Sequence, residues 1–146
     1  MTKVKLSSIL SIILFLVSCT PRTPSGSIPV YTEALSTTKL QNKKLIVIFG
    51  ADWCPDCHAL NSMLVEEKVS KLIQSKYIVL KIDVGRFDKN LDLNELLGDP
   101  IDNGIPALVI LDPKQNNPVI ASTKGGEFSS ARQMSSDHVF KYLNQF

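Results

Sequence analysis

The sequence predicts an α/β sandwich in which a mixed central sheet is flanked by helices on both faces. Three observations carry that prediction. Leu45-Ile46-Val47-Ile48-Phe49 is an unbroken apolar run rich in branched residues, the pattern of a strand buried on both faces. Cys57, Leu60, Met63 and Leu64 follow it at helical spacing, with the apolar side including Cys57. Further strand-like runs then alternate with short helical segments to the C-terminus. With 146 residues, 44% of them hydrophobic, the chain has room for one domain with a substantial core, and it shows no internal repeat.

Taken in order, residues 1–5 are short and positive, and Leu6 to Val17 is apolar apart from serines. A positive start, an apolar stretch of this length and small residues before a cut site read as an export signal over residues 1–18. The stretch is too short for a transmembrane helix, which needs about 20 residues. Leu16-Val17-Ser18-Cys19 resembles the lipobox of bacterial lipoproteins, which implies that Cys19 is acylated and becomes the first residue after cleavage. Residues 19–29, with Pro21, Pro24, Gly26 and Pro29, are expected to form an extended tether reaching about 30 Å at roughly 3 Å per residue. Thr20 after the cysteine implies outer-membrane sorting in a Gram-negative cell, with the protein facing the periplasm.

The folded domain is expected over residues 30–146. Tyr31 to Gln41 carries a moderate helical pattern, ended by Asn42-Lys43-Lys44. Val69, Leu72 and Ile73 mark a second helix after the cysteine helix, and Tyr77 to Val84 the next strand. A loop-rich segment from Gly85 to Gly104 holds a short helix near Leu91 to Leu97. Pro106 to Leu111 and Pro118 to Ser122 pair across a turn. Ser136 or Asp137 is expected to cap a last helix that buries Val139, Phe140 and Leu143. This order implies a parallel start and an antiparallel hairpin finish.

Charge excludes one class of function. The formal net charge is +2, and without Lys3 and Lys5 basic and acidic side chains balance at 14 each. No basic run is interleaved with aromatics, so nucleic acid is not an expected partner.

The chemistry lies in Cys54-Pro55-Asp56-Cys57. A cysteine just before a helix faces unpaired N–H groups and the positive end of the helix dipole, and both favour the thiolate. Cys54 occupies that place, and Cys57, three residues on and on the core side, can close a ring with it. Attack by Cys54 on a disulfide would give a mixed disulfide that Cys57 resolves. Pro55 suits the first helical turn, where its missing N–H costs nothing. Asp56 places an anion roughly 6 Å from the thiolate, opposing ionisation by about 0.7 to 3 kcal/mol at an effective dielectric between 20 and 80. A less stable thiolate favours the disulfide and makes the dithiol a better reductant, so the site is expected to reduce or isomerise disulfides.

Gly50-Ala51-Asp52-Trp53-Cys54-Pro55-Asp56-Cys57 at a strand end resembles a thioredoxin active site, and Gly104-Ile105-Pro106 about 50 residues later matches that fold's cis-proline. The resemblance runs from about Tyr31 to Phe146 and implies a thioredoxin-like three-layer sandwich. Ala-Asp-Trp-Cys before a helix is also similar to the periplasmic thioredoxin-like domain of the membrane electron-transfer protein that reduces bacterial disulfide isomerases. Lys124-Gly125-Gly126-Glu127 and Ala131-Arg132-Gln133-Met134 resemble a subgroup of small bacterial thioredoxin-like proteins. The family implies that Cys54 is the nucleophile, Cys57 the resolving thiol and Trp53 a flat wall beside them. It also implies that Pro106 packs against the disulfide and that the backbone of Ile105 pairs with an extended substrate. No cofactor beyond the Cys54–Cys57 couple is implied. The partners would be disulfide-containing or dithiol proteins and an upstream thiol electron donor, met by a monomer.

The sequence departs from the family at one point. Thioredoxins bury an aspartate five residues before the tryptophan, where Ile48 stands here, and the lysine that accompanies it aligns with Val79. Cys57 then needs another proton route, through water or Glu127.

The same residues admit rival readings. Cys54-Pro55-Asp56-Cys57-His58 is a C-x-x-C-H haem-attachment pattern, with Met63 or Met134 as an axial ligand, although four strand-like runs oppose a helical cytochrome. Zinc would need His58 and His138 beside the cysteines, a poor set without a second clustered pair. Asp88 to Asp92 resembles the start of a calcium loop but has Leu93 where glycine is needed. A non-catalytic binding or chaperone module on the same scaffold is the remaining alternative.

Overall fold

The computed structural model describes residues 26–124 and 126–146. The expected signal and Cys19, with most of the tether, lie outside the described residues. Helix α1 (Ser27–Leu40) leads to strand β1 (Lys44–Gly50), then to α2 (Pro55–Leu64), α3 (Glu67–Lys76) and β2 (Tyr77–Asp83). Helix α4 (Leu91–Leu96), strands β3 (Ala107–Leu111) and β4 (Val119–Ser122), a single 3-10 turn (Ala131–Gln133) and α5 (Ser136–Asn144) complete the chain. No described helix is long and apolar enough to cross a membrane.

The four strands among the described residues lie in the order β2-β1-β3-β4, with β1 parallel to β2 and antiparallel to β3, and β3 antiparallel to β4. The expected parallel start and hairpin finish are both present. Central position explains the composition of β1, because both of its faces are covered. Leu45, Val47 and Phe49 enter one core with Tyr31, Leu93 and Leu97, while Ile46 and Ile48 enter the other with Leu60, Met63, Phe128 and Leu143. This is the period-two alternation of a strand, with α1 and α4 on one face and α2, α3 and α5 on the other.

Two boundaries differ from expectation. Helix α1 begins at Ser27, so the last three residues assigned to the tether belong to the fold. Ser27 is buried and its hydroxyl donates to Asp92 Oδ1 (3.2 Å), while Pro29 falls in the first turn, where a missing N–H is tolerated. At the other end Ser135, not Ser136 or Asp137, caps α5, and its N–H donates to His138 Nδ1 (3.3 Å). Tyr77 joins the ends of the domain, its hydroxyl donating to the Leu143 carbonyl (2.6 Å), and burial pushes its pKa up to about 12.

Candidate active site

Strand β1 ends at Gly50, and the chain needs only Ala51 to Trp53 to reach the start of α2. Cys54 is the N-cap of that helix, with extended backbone, and Pro55 is its first residue. Cys54 and Cys57 are disulfide-bonded, with Cα atoms 5.2 Å apart. The Cys57 N–H points at Cys54 Sγ (3.1 Å), and the Ile105 carbonyl oxygen lies 3.6 Å from the same sulfur. An amide donor and the helix N-terminus therefore converge on the atom that would carry the thiolate charge. Both cysteines are buried, Cys54 at 3% and Cys57 at 6% exposure. Gly50 permits this closeness, because a Cβ there would stand 3.2 Å from Cys57 Sγ.

The Ile105–Pro106 bond is cis, and Pro106 shares a cleft of about 210 Å³ with Cys57. Trp53, the residue before Cys54, is 51% exposed. Its indole N–H donates to the Gly85 carbonyl (2.6 Å) and its ring meets Phe87 edge-on, with centroids 5.9 Å apart. The loop beneath is tied by Asp83, which accepts the Gly85 N–H (2.9 Å) and Lys89 (3.1 Å); these two interactions, in that order, hold its carboxyl below the usual range. The sequence gives no signal for Phe87. Its left-handed backbone (φ 63°) places it under the tryptophan, and residue type alone gives no sign of that.

Asp56 does not face the sulfurs as a free anion. Its carboxylate, 13% exposed, accepts the backbone N–H of Arg132 (2.9 Å) at Oδ1 and Nε of the same residue (3.3 Å) at Oδ2. The backbone N–H first, and then the guanidinium, hold Asp56 below the usual carboxylate range. The unopposed repulsion expected from Asp56 is therefore reduced by a cation that the spacing did not reveal.

The back of Cys57 differs from expectation as well. Ile48 does occupy the position in question, but the parallel register pairs it with Lys81, while Val79 pairs with Ile46. Lys81 lines the cleft behind Cys57 together with Asp52, His58, Asn61 and Asp83. Glu127 is not among the cleft residues. It is exposed, and its charge acts on Tyr142, whose pKa is pushed up to about 12 mainly by burial. His58 is turned toward the Asp52 carbonyl (Nε2 to O, 2.6 Å), bracing the turn between β1 and α2. Among the described residues, no three His, Cys, Asp or Glu side chains come together as a metal site. The segment resembling a calcium loop is spent on its own turn and on the start of α4, with Asp88 accepting the Arg86 N–H (2.9 Å) and Asn90 donating to the Asp83 carbonyl (2.7 Å).

Comparison with known proteins agrees with this geometry. A disulphide isomerase from Xylella fastidiosa Temecula1 superposes with a TM-score of 0.77 at 38% identity, over 86% of this chain and 95% of that one. The C-terminal domain of Neisseria meningitidis DsbD, at 16% identity and a TM-score of 0.56, shares the fold over 82% of this chain and 96% of its own. Among curated relatives, the anterior gradient protein 2 homolog of Mus musculus is 30% identical over 83 residues, 57% of this chain and 43% of that protein. The chain thus spans less than half the length of the curated relatives it matches. The thioredoxin-like family model matches residues 28–113, which holds β1, the cysteine pair and the cis-proline, and the chain belongs to the thioredoxin-like family.

Proposed function

We propose that this protein is a thiol–disulfide oxidoreductase that reduces or isomerises protein disulfides in the bacterial cell envelope. The observation that carries the reading is the position of Cys54 Sγ, at a helix N-terminus, 3.1 Å from the Cys57 amide and 3.6 Å from the Ile105 carbonyl. In the reduced protein the Cys54 thiolate attacks one sulfur of a substrate disulfide and expels the other as a thiolate. Cys57 then loses its proton, attacks Cys54 Sγ and releases the second substrate thiol, leaving the pair oxidised. Two electrons pass to the substrate, and an upstream dithiol donor restores the pair.

The route for the Cys57 proton is the cleft lined by Asp52, His58 and Lys81, where water can reach the sulfur from behind. A buried carboxylate is dispensable in this arrangement. Trp53 and the Ile105 backbone flank the sulfurs and hold an extended substrate segment. The similarity to an isomerase at 38% identity supports isomerisation, and so does the partial neutralisation of Asp56 by Arg132, which makes the dithiol a milder reductant.

The envelope location rests on the sequence alone: the export signal over residues 1–18 and the lipobox ending at Cys19. In this reading the acylated Cys19 tethers a monomeric domain to the outer membrane, facing the periplasm. Cys19→Ala would then release the protein from the membrane fraction. The activity is tested by reduction of a disulfide-bonded protein with a thiol donor. Wild-type protein should turn over and Cys54→Ser should fall to background. A potential as oxidising as that of the strong periplasmic dithiol oxidases, about −120 mV, would overturn reduction as the net direction.

A further inference from the structure

We infer that Arg132 is a positioning residue that sets the redox poise of the cysteine pair by holding and neutralising Asp56. The inference rests on the oxidoreductase reading and deepens it. Three observations lead to it. Asp56 is the second residue of α2, yet its carboxylate turns away from that helix's own N–H groups toward the 3-10 turn Ala131–Gln133. That turn has no cap of its own, since Ser130 makes no side-chain capping bond, and Asp56 supplies one from 76 residues away. The Arg132 side chain, 64% exposed, then folds onto the same carboxylate beside a polar crevice lined by Ser129, Ser130 and Gln133.

The electrostatic consequence follows from position. Asp56 is two residues from Cys54, and its charge opposes the Cys54 thiolate. Arg132 cancels much of that field while fixing where the carboxylate sits. The ionisable groups lining the cleft at Cys57 are Asp52, His58, Lys81 and Asp83. Arg132 is the cation bonded to Asp56. Removing it exposes the sulfur to the full anion, weakens the thiolate and favours the disulfide. Removing the anion does the reverse. A residue that merely held the 3-10 turn in place would move stability in one direction for both changes and leave the thiolate alone.

The test is equilibration of each variant with reduced and oxidised glutathione. In that exchange two glutathione thiols give up two electrons and two protons to the Cys54–Cys57 bond and become one disulfide. Thiolate absorbance against pH is measured in parallel. Arg132→Gln should raise the Cys54 pKa and shift the equilibrium about three- to tenfold toward the protein disulfide, at most about 30 mV. Asp56→Asn should shift both quantities the opposite way, and Arg132→Lys should restore most of the wild-type value. Shifts of the same sign for Arg132→Gln and Asp56→Asn, or none in either, would overturn the assignment. A wild-type pair that even a strong dithiol reductant cannot open in the folded protein would instead overturn the oxidoreductase reading.

Discussion

The two sulfurs sit three residues apart, and their surroundings are opposites. Cys54 is served by fixed positive dipoles, the Cys57 amide and the N-terminus of α2, with the Asp56–Arg132 pair to one side. Cys57 has no such array. It faces Gly50, where an added Cβ would stand 3.2 Å from its sulfur, and opens behind onto a cleft with Asp52, His58 and Lys81. The first environment stabilises a charge that must exist before substrate arrives. The second keeps its thiol neutral until a mixed disulfide has formed, and then gives the proton a way out. Rigid dipoles suit the first task because they need no rearrangement, and a solvated cleft suits the second because the charge there is transient.

If that division is right, the two cysteines fail in different ways, and this is the largest effect expected. Cys57→Ser should leave attack by Cys54 intact and abolish release, so mixed disulfides accumulate and turnover stops. Gel mobility under non-reducing conditions shows the trapped adduct. Equal loss of attack in Cys54→Ser and Cys57→Ser would mean that the sulfurs are not differentiated.

A smaller effect probes the packing behind Cys57. Gly50→Ala puts a methyl group 3.2 Å from a sulfur that cannot yield while it is tied in the disulfide. Overpacking of this kind costs about 1–3 kcal/mol. The melting temperature of the oxidised protein should drop by roughly 3–10 °C. The reduced protein should lose less, because a free thiol can rotate away. Thermal unfolding of both redox forms checks the difference, and equal losses would place the strain elsewhere.

What could be read in advance follows the range of the interactions. The strand β1, the cysteine helix and the hairpin were legible because their signals are local: an apolar run, helical spacing, a proline-bounded strand. Cys54 as the helix N-cap was legible for the same reason. Arg132 was not, because its contact with Asp56 spans 76 residues and depends on where a 3-10 turn docks. Lys81 was missed because register is a property of two strands together. Matching Val79 by family pattern put the expected partner of Ile48 two residues too early, and a shift of two keeps the same face of the strand, so hydrophobic alternation gives no warning. Phe87 depends on a left-handed residue in a loop that residue type does not announce.

Lys81 supplies the finest test of the comparison. It is exposed, on an edge strand, and lines the cleft at Cys57, which Arg132 does not. A cation there favours the Cys57 thiolate through partly solvated space, so its removal costs little: about two- to fivefold in the resolving step. Lys81→Met should slow release from a preformed mixed disulfide by that factor near neutral pH. The sign follows from the charge: without the cation Cys57 ionises less readily, so the pH at which release accelerates moves up. Alkylation of Cys54 should be unaffected, because its charge is set by backbone dipoles and the Asp56–Arg132 pair. High salt should mimic part of the loss in wild-type protein, as screening weakens an exposed cation most. A change in Cys54 alkylation equal to the change in release would show that the two sulfurs share one electrostatic environment.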